Sequence, residues 1–274
     1  MFFAFNHRMK NYLIIGYGWL GKALAEALKS TDAIIWATSS DDLKLNDIKT
    51  AGISALRLKK NSGVLSWADD ELPIVHFDAV IVTLPPFEGA LESLSNLLQS
   101  LHFKSIVFTS STGVYEDVSA LVNESSSINK DHLVFQMEER IRSLQPSNYT
   151  ILRMSGHIGP NRHPVRFFLR HGRDIPNGQA PVNLIHQKDI IASILVTMND
   201  SHGNSVYNVC WPEHPTKEEY YGAISLKIGE KRLVFLKGNQ GKIIDGSKIT
   251  NETGFHYDFS IYEIDDLDLR KDNI

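Results

Sequence analysis

The chain is organised around the stretch Leu13-Ile14-Ile15-Gly16-Tyr17-Gly18-Trp19-Leu20-Gly21. The apolar run Tyr12 to Ile15 reads as a buried strand. A G-x-G-x-x-G turn follows at once, and Lys22-Ala23-Leu24-Ala25-Glu26-Ala27-Leu28-Lys29 then supplies good helix formers. Strand, glycine turn and helix, in that order, are the setting in which this motif binds a dinucleotide. The glycines divide the work: Gly16 allows the tight turn, Gly18 lets the backbone approach a pyrophosphate, and Gly21 lets the helix pack close to the strand. The helix N-terminus offers unpaired N–H groups and the positive end of its dipole to the phosphates. Residues Gly16, Tyr17, Gly18, Trp19, Leu20 and Gly21 are therefore candidate cofactor-binding positions. The competing reading is a strand-helix turn that needs its glycines only for packing.

The next segment bears on which dinucleotide. Ala33-Ile34-Ile35-Trp36-Ala37 reads as a second strand, with Ser39 and Ser40 at its end. A site selective for NAD places an Asp or Glu about 20 residues beyond the glycines, where it holds the ribose hydroxyls. Ser39 stands near that place without a charge, and Asp41 and Asp42 come slightly late. Without a carboxylate there, nothing repels a 2′-phosphate, although no arginine stands in the segment to attract one. The reading favours NADP over NAD. Ser39 and Ser40 serve equally as caps for a helix over residues 41–50.

Strand-like runs then recur at Ile53 to Leu58, Ala79 to Leu84, Ser105 to Thr109 and Tyr149 to Arg153. The run Ala79 to Leu84 is continuously apolar, as in a parallel sheet covered on both faces. It ends in Pro85-Pro86, so Leu84 and Pro85 lie at a strand terminus where a ligand of such a sheet sits. Leu91, Leu94, Leu97, Leu98 and Leu101 share a helical face, and Asp131 to Ser143 is a second helical stretch. Alternating strands and helices predict an α/β fold, a doubly wound parallel Rossmann sheet over residues 9–155. Residues 156–274 carry shorter, less regular elements and are expected to form a small C-terminal substrate lobe, with some elements returning to the sheet. Within it, Thr216 with Glu219 makes a capping box that opens a helix reaching Lys227.

Composition removes several function classes. The net charge is −4 with no basic block, which argues against a nucleic-acid partner. No apolar run approaches the roughly 20 residues that span a bilayer. Cys210 is the only cysteine, so no internal disulfide forms, which suits a reducing cytoplasm. The eleven histidines are scattered without metal-ligand spacing. Either Met9 is the natural start or the first eight residues are a loose extension. Oligomeric state is left open.

Several stretches taken in order resemble the short-chain dehydrogenase/reductase superfamily in its extended, nucleotide-sugar epimerase/dehydratase form, and most closely its atypical members. They are I-I-G-Y-G-W-L-G, V-F-T-S-S-T-G-V-Y, L-R-M-S-G-H-I-G-P, N-L-I-H-Q-K-D-I-I-A-S-I and V-Y-N-V, between about Met9 and Gly254. The resemblance implies a Rossmann sheet, a nicotinamide cofactor, and a small-molecule substrate cleft under the C-terminal lobe. It also implies a catalytic Ser or Thr on the fifth strand, followed by a Tyr-x-x-x-Lys pair on the next helix. Ser111 matches the serine. The pair is missing: its tyrosine position falls at Lys130 or Asp131, its lysine position at Val134 or Phe135, and no tyrosine occurs between Tyr115 and Tyr149. The family's asparagine after the sixth strand is Gly156.

Other residues near Ser111 are then the candidates for moving a proton. His132 is of the residue type that titrates near neutrality and lies in the right segment. Lys130 suits the task only where burial lowers a lysine's pKa, and Tyr115 lies near the strand end. Each has an ordinary alternative: a helix-surface histidine, a solvated lysine, and a packed tyrosine with its hydroxyl hydrogen-bonded. His157 and Arg162 are candidate substrate-binding residues at the cleft mouth, Arg162 as a partner for a phosphate or carboxylate. His186 and Asp189 are expected to fix the lobe. Two functions remain: an NAD(P)-dependent oxidoreductase or epimerase-like enzyme with a non-standard proton donor, or a dinucleotide-binding sensor or interaction protein with little or no turnover.

Overall fold

The computed structural model describes residues 9–68, 72, 76–198, 203–230 and 233–264. The expected extension before Met9 lies outside the described residues. In chain order the elements are β1 (Lys10–Ile15), α1 (Trp19–Leu28), β2 (Ala33–Ser39), α2 (Asp42–Thr50), β3 (Ser54–Asn61), β4 (Val64–Trp67), β5 (His76–Val82), α3 (Ala90–Leu98), β6 (His102–Ser111) and β7 (Leu121–Val122). There follow α4 (Leu133–Ser143), β8 (Asn148–Met154), β9 (Gly156–Ile158), α5 (Pro164–His171), β10 (Leu184–His186), α6 (Gln187–Thr197), β11 (Ser205–Val209), α7 (Lys217–Lys227), β12 (Ile243–Ile244) and α8 (Ser247–Thr253).

The central sheet has eight strands in the order β11-β8-β6-β5-β1-β2-β3-β4. The pairs β2–β1, β1–β5, β5–β6 and β2–β3 are parallel, and β3–β4 is antiparallel. The reversal of strand order at β1 is the topological switch of a doubly wound sheet, and it sits where the glycine turn leaves β1. The α/β Rossmann architecture expected from the alternation is thus present. The hairpin β3–β4 was not expected. Its signal is Asn61-Ser62-Gly63: Ser62 and Gly63 both take positive φ, 47° and 86°, the geometry of a two-residue hairpin turn.

The chain divides into two compact units that interleave along the sequence. The first comprises residues 1–109, 133–151 and 197–205. The second comprises residues 110–132, 152–196 and 206–274, so the expected division at 155/156 falls within it. In the first unit, Leu13, Ile14 and Ile15 of β1 and Val80, Ile81 and Val82 of β5 are fully buried, as central parallel strands require. Leu24, Ala25 and Leu28 of α1 and Leu94, Leu97 and Leu98 of α3 are buried on their helices' apolar stripes. In the second unit a separate core gathers Ile158, Val165, Val182, Leu184, Tyr220 and Ile224. Its two short parallel pairs, β9–β10 and β7–β12, hold loops rather than a continuous sheet. The expected capping box opens α7: Thr216 Oγ1 accepts from Glu219 N, and the Glu219 carboxylate accepts from Thr216 N.

Candidate active site

The glycine turn is in the first unit, and its geometry separates the three glycines. Gly16 has φ +110°, which side chains rarely adopt, and a Cβ there would meet Thr83 Oγ1 at 3.1 Å and Leu84 N at 3.3 Å. A Cβ on Gly21 would lie 2.0 Å from the Gly16 carbonyl oxygen, so glycine is obligatory for packing. At Gly18 a Cβ would meet nothing within 4 Å: the chain leaves open space where a bound group would approach the backbone. Gly18 is also the N-cap of α1, with no side-chain cap and no acidic residue in the first turn. A ten-residue helix that starts without its own anion is suited to receive one. These features fit the diphosphate of a dinucleotide.

Two threonines absent from the sequence reading clasp the turn. Thr38 Oγ1 accepts from Gly16 N at 3.1 Å, and the Thr38 carbonyl accepts from Tyr17 N at 3.1 Å. From the other side Thr83 Oγ1 donates to the Gly16 carbonyl at 2.7 Å. Leu84 lies against Gly16, while Pro85 is exposed. The Tyr17 side chain turns inward and its hydroxyl is buried. Its pKa is raised by burial first, then by the charges of Glu26 and Asp47.

After β2 the sequence reading needs two corrections. Asp41, rather than Ser39 or Ser40, caps α2: its Oδ1 accepts from Lys44 N at 3.0 Å. Ser39 is buried and its Oγ accepts from Asp41 N at 3.1 Å, while Ser40 is exposed. An arginine does stand at this place. The parallel register pairs Ser39 with Arg57 of β3, whose guanidinium makes an ion pair with Asp42 at 2.6 Å. Sequence distance from the glycines hid it, because strand pairing, not the segment after β2, brings it there.

The second unit holds the other candidates. Ser111 ends β6, and its Oγ accepts from Gly113 N at 3.0 Å, which caps the short 3₁₀ turn Thr112–Val114. The hydroxyl hydrogen is left to donate elsewhere. The expected helix over 131–143 begins at Leu133, so Lys130, Asp131 and His132 precede it rather than lie on it. The loop is tied back by Asn129, whose N–H donates to the Val114 carbonyl at 2.8 Å and whose side chain accepts from Asp131 N at 3.0 Å. This places His132 against the turn. The point where a Gly113 Cβ would be is 3.2 Å from Ser111 Oγ and 3.5 Å from His132 Nε2. Lys130 is exposed.

Tyr115 is only 2% exposed and its hydroxyl is committed. It donates to Asn208 Oδ1 at 2.6 Å and accepts from Arg153 Nη1 at 3.1 Å, with the Arg153 guanidinium 5.0 Å from the ring centroid. Burial raises the phenol's pKa, and Arg153 opposes that shift without cancelling it. Asn208 and Arg153 are partners the sequence reading missed.

His157 and Arg162 lie together on β9 and the turn that follows it. Gly159 and Arg162 exchange two backbone hydrogen bonds of 3.0 Å. Burial, with the positive charge of Arg162 adding to it, pushes the His157 pKa down to about 4. At Gly156 a Cβ would sit 2.8 Å from Leu184 Cδ2 and 3.2 Å from the Asn183 carbonyl, so a side chain there would push the Leu184 methyl group aside. His186 stacks on Phe259 at 5.5 Å, and the Asp189 carboxylate accepts from Asp258 N and Phe259 N at 3.1 and 3.2 Å. Among the described residues no cluster of three or more His, Cys, Asp or Glu forms a metal site, and no helix is long and apolar enough to cross a membrane.

This is the fold of short-chain dehydrogenase/reductase and NAD-dependent epimerase/dehydratase structures. A functionally unknown conserved protein from Silicibacter pomeroyi superposes with TM-score 0.77 at 18% identity, over 93% of this chain and 96% of that one. The UDP-glucuronic acid 4-epimerase of Bacillus cereus, solved with NAD, superposes with TM-score 0.68 at 14% identity, over 91% and 92%. No family model matches the chain. Protein YeeZ of Escherichia coli is 32% identical over 267 residues, 92% of this chain and 97% of YeeZ. The chain belongs to the YeeZ family.

Proposed function

We propose that this protein binds a nicotinamide dinucleotide at the Gly16–Gly21 turn, NADP in preference to NAD. It acts on a carbonyl or alcohol carbon of a small, nucleotide-sugar-like molecule. The B. cereus neighbour, solved with NAD, supports the cofactor class, and its name supports the substrate class. Ligands of open α/β sheets lie beyond the carboxyl ends of the strands, and the glycine turn follows the carboxyl end of β1.

The observation that carries the chemistry is the convergence of Ser111 Oγ and His132 Nε2 on one point above Gly113. The nicotinamide supplies hydride transfer when bound. Ser111 keeps its O–H free to hydrogen-bond a substrate oxygen while its lone pair holds Gly113 N. His132 moves the proton at Nε2 to or from that oxygen. His157 and Arg162 contact the rest of the substrate; a histidine kept neutral beside a cation suits an anionic or carbonyl group. Tyr115 spends its hydroxyl on Arg153 and Asn208 and acts as a packing residue rather than exchanging a proton.

A second reading is a dinucleotide-binding sensor or interaction protein with negligible turnover. It is favoured by the committed Tyr115 hydroxyl and by the exposure of Lys130, two of the three candidates for moving a proton. Turnover of reduced NADP or NAD on a carbonyl panel separates the two. Activity on simple ketones and ordinary sugar nucleotides is expected to be weak. Ser111→Ala and His132→Asn should each lower any turnover by about 10²–10⁴-fold. Turnover that survives both replacements refutes this placement of the chemistry.

A further inference from the structure

We propose that Arg57 is the anchor for a 2′-phosphate on the adenosine ribose, with Asp42 the counter-ion that occupies its guanidinium in the absence of ligand. The inference rests on the dinucleotide reading and names the residue that sets its specificity. All of its residues belong to the first unit.

The parallel register places Arg57 beside Ser39, at the end of β2, where a carboxylate would otherwise read the ribose hydroxyls. The two carboxylates just beyond are both engaged. Asp41 caps α2 through Oδ1, and Asp42 is paired with Arg57 at 2.6 Å. Neither Ser39 nor Ser40 brings a charge. The end of β2 therefore has the Arg57 guanidinium beside it, and the Asp41 and Asp42 carboxylates next to it are already held. The Arg57–Asp42 pair is readily exchanged, because the two side chains are 48% and 81% exposed and such solvated pairs contribute little. A phosphate monoester carries nearly two negative charges and three strong acceptor oxygens. It matches the planar guanidinium fork, which a single carboxylate oxygen on a flexible surface side chain does not fill. Exchange of Asp42 for the phosphate then gains a charge-assisted contact and breaks only a weak one.

Calorimetric titration with oxidised NADP and with NAD tests this directly, since the two differ only in the 2′-phosphate and no turnover is read. Wild type should bind NADP more tightly. Arg57→Gln should weaken NADP by about tenfold or more, with NAD unchanged within about twofold and the melting temperature unmoved. Arg57→Lys, which keeps the charge and loses the fork, should fall between. Asp42→Asn should tighten NADP several-fold by removing the competitor. Ser39→Asp should pair with Arg57 and reverse the preference toward NAD. An Arg57→Gln protein with the wild-type NADP-to-NAD ratio overturns the anchor while leaving the dinucleotide site intact. A wild type that binds neither cofactor overturns the dinucleotide reading, and the anchor with it.

Discussion

Gly18→Val and Gly21→Ala, introduced separately, should break different things. At Gly21 the added Cβ falls 2.0 Å from the Gly16 carbonyl oxygen, and that oxygen is itself held by Thr83 Oγ1 at 2.7 Å. Nothing flexible can yield, so α1 or the turn must move by roughly 1 Å; overpacking of this kind costs about 1–3 kcal/mol, occasionally more. Gly21→Ala should melt well below wild type or fail to fold. At Gly18 a Cβ meets nothing within 4 Å, and φ −93° suits any residue. Gly18→Val should change stability by less than about 1 kcal/mol, the scale of an N-cap substitution. Its methyl groups instead fill the space a diphosphate needs at the start of α1. Charge-assisted hydrogen bonds are worth about 1.5–3 kcal/mol each, so losing two weakens binding by about a hundredfold to ten-thousandfold. Circular-dichroism melting together with calorimetry using NADP and NAD reads both quantities. A Gly18→Val protein that binds with wild-type affinity would show that the turn is a packing device and not a nucleotide site.

Two further outcomes are expected. Tyr115→Phe should act on stability first: it strips Asn208 Oδ1 of its donor and Arg153 of an acceptor, for about 1–3 kcal/mol, so its melting temperature should drop. A Tyr115→Phe protein that melts like wild type but has lost all turnover would instead make the tyrosine catalytic. Burial lowers the His163 pKa to about 4, while Nδ1 accepts from Val165 N and Nε2 meets the Tyr220 hydroxyl at 2.8 Å. The unfolded chain takes up that proton near 6.5 and the folded chain only near 4, so stability falls as pH drops through that window, by up to about 3 kcal/mol. His157 acts in the same sense, and Asp189, raised to about 6 by burial, in the opposite sense below pH 6. Urea unfolding at pH 7 and pH 4.5 should show His163→Gln losing less on acidification than wild type; equal losses would contradict this account.

What the sequence determined by itself was local. The apolar run into Gly16, the helix formers after Gly21 and the Thr216–Glu219 box all act over a few residues, where backbone sterics, propensity and capping decide the conformation. They became β1, α1 and α7. The hairpin turn at Ser62-Gly63 is equally local, although the sequence analysis did not anticipate it. The parallel sheet followed from alternating apolar runs and helices, because a strand buried on both faces has few other arrangements. The tertiary structure decided what meets across elements. Strand register set Arg57 beside Ser39. A backbone tie from Asn129 to Val114 brought His132 to Ser111, and started α4 late enough to leave Lys130 exposed. Tyr115 met Asn208 across 93 residues of chain. Periodicity says which face of an element is buried, not which partner lies opposite. That partner is chosen by register and connection.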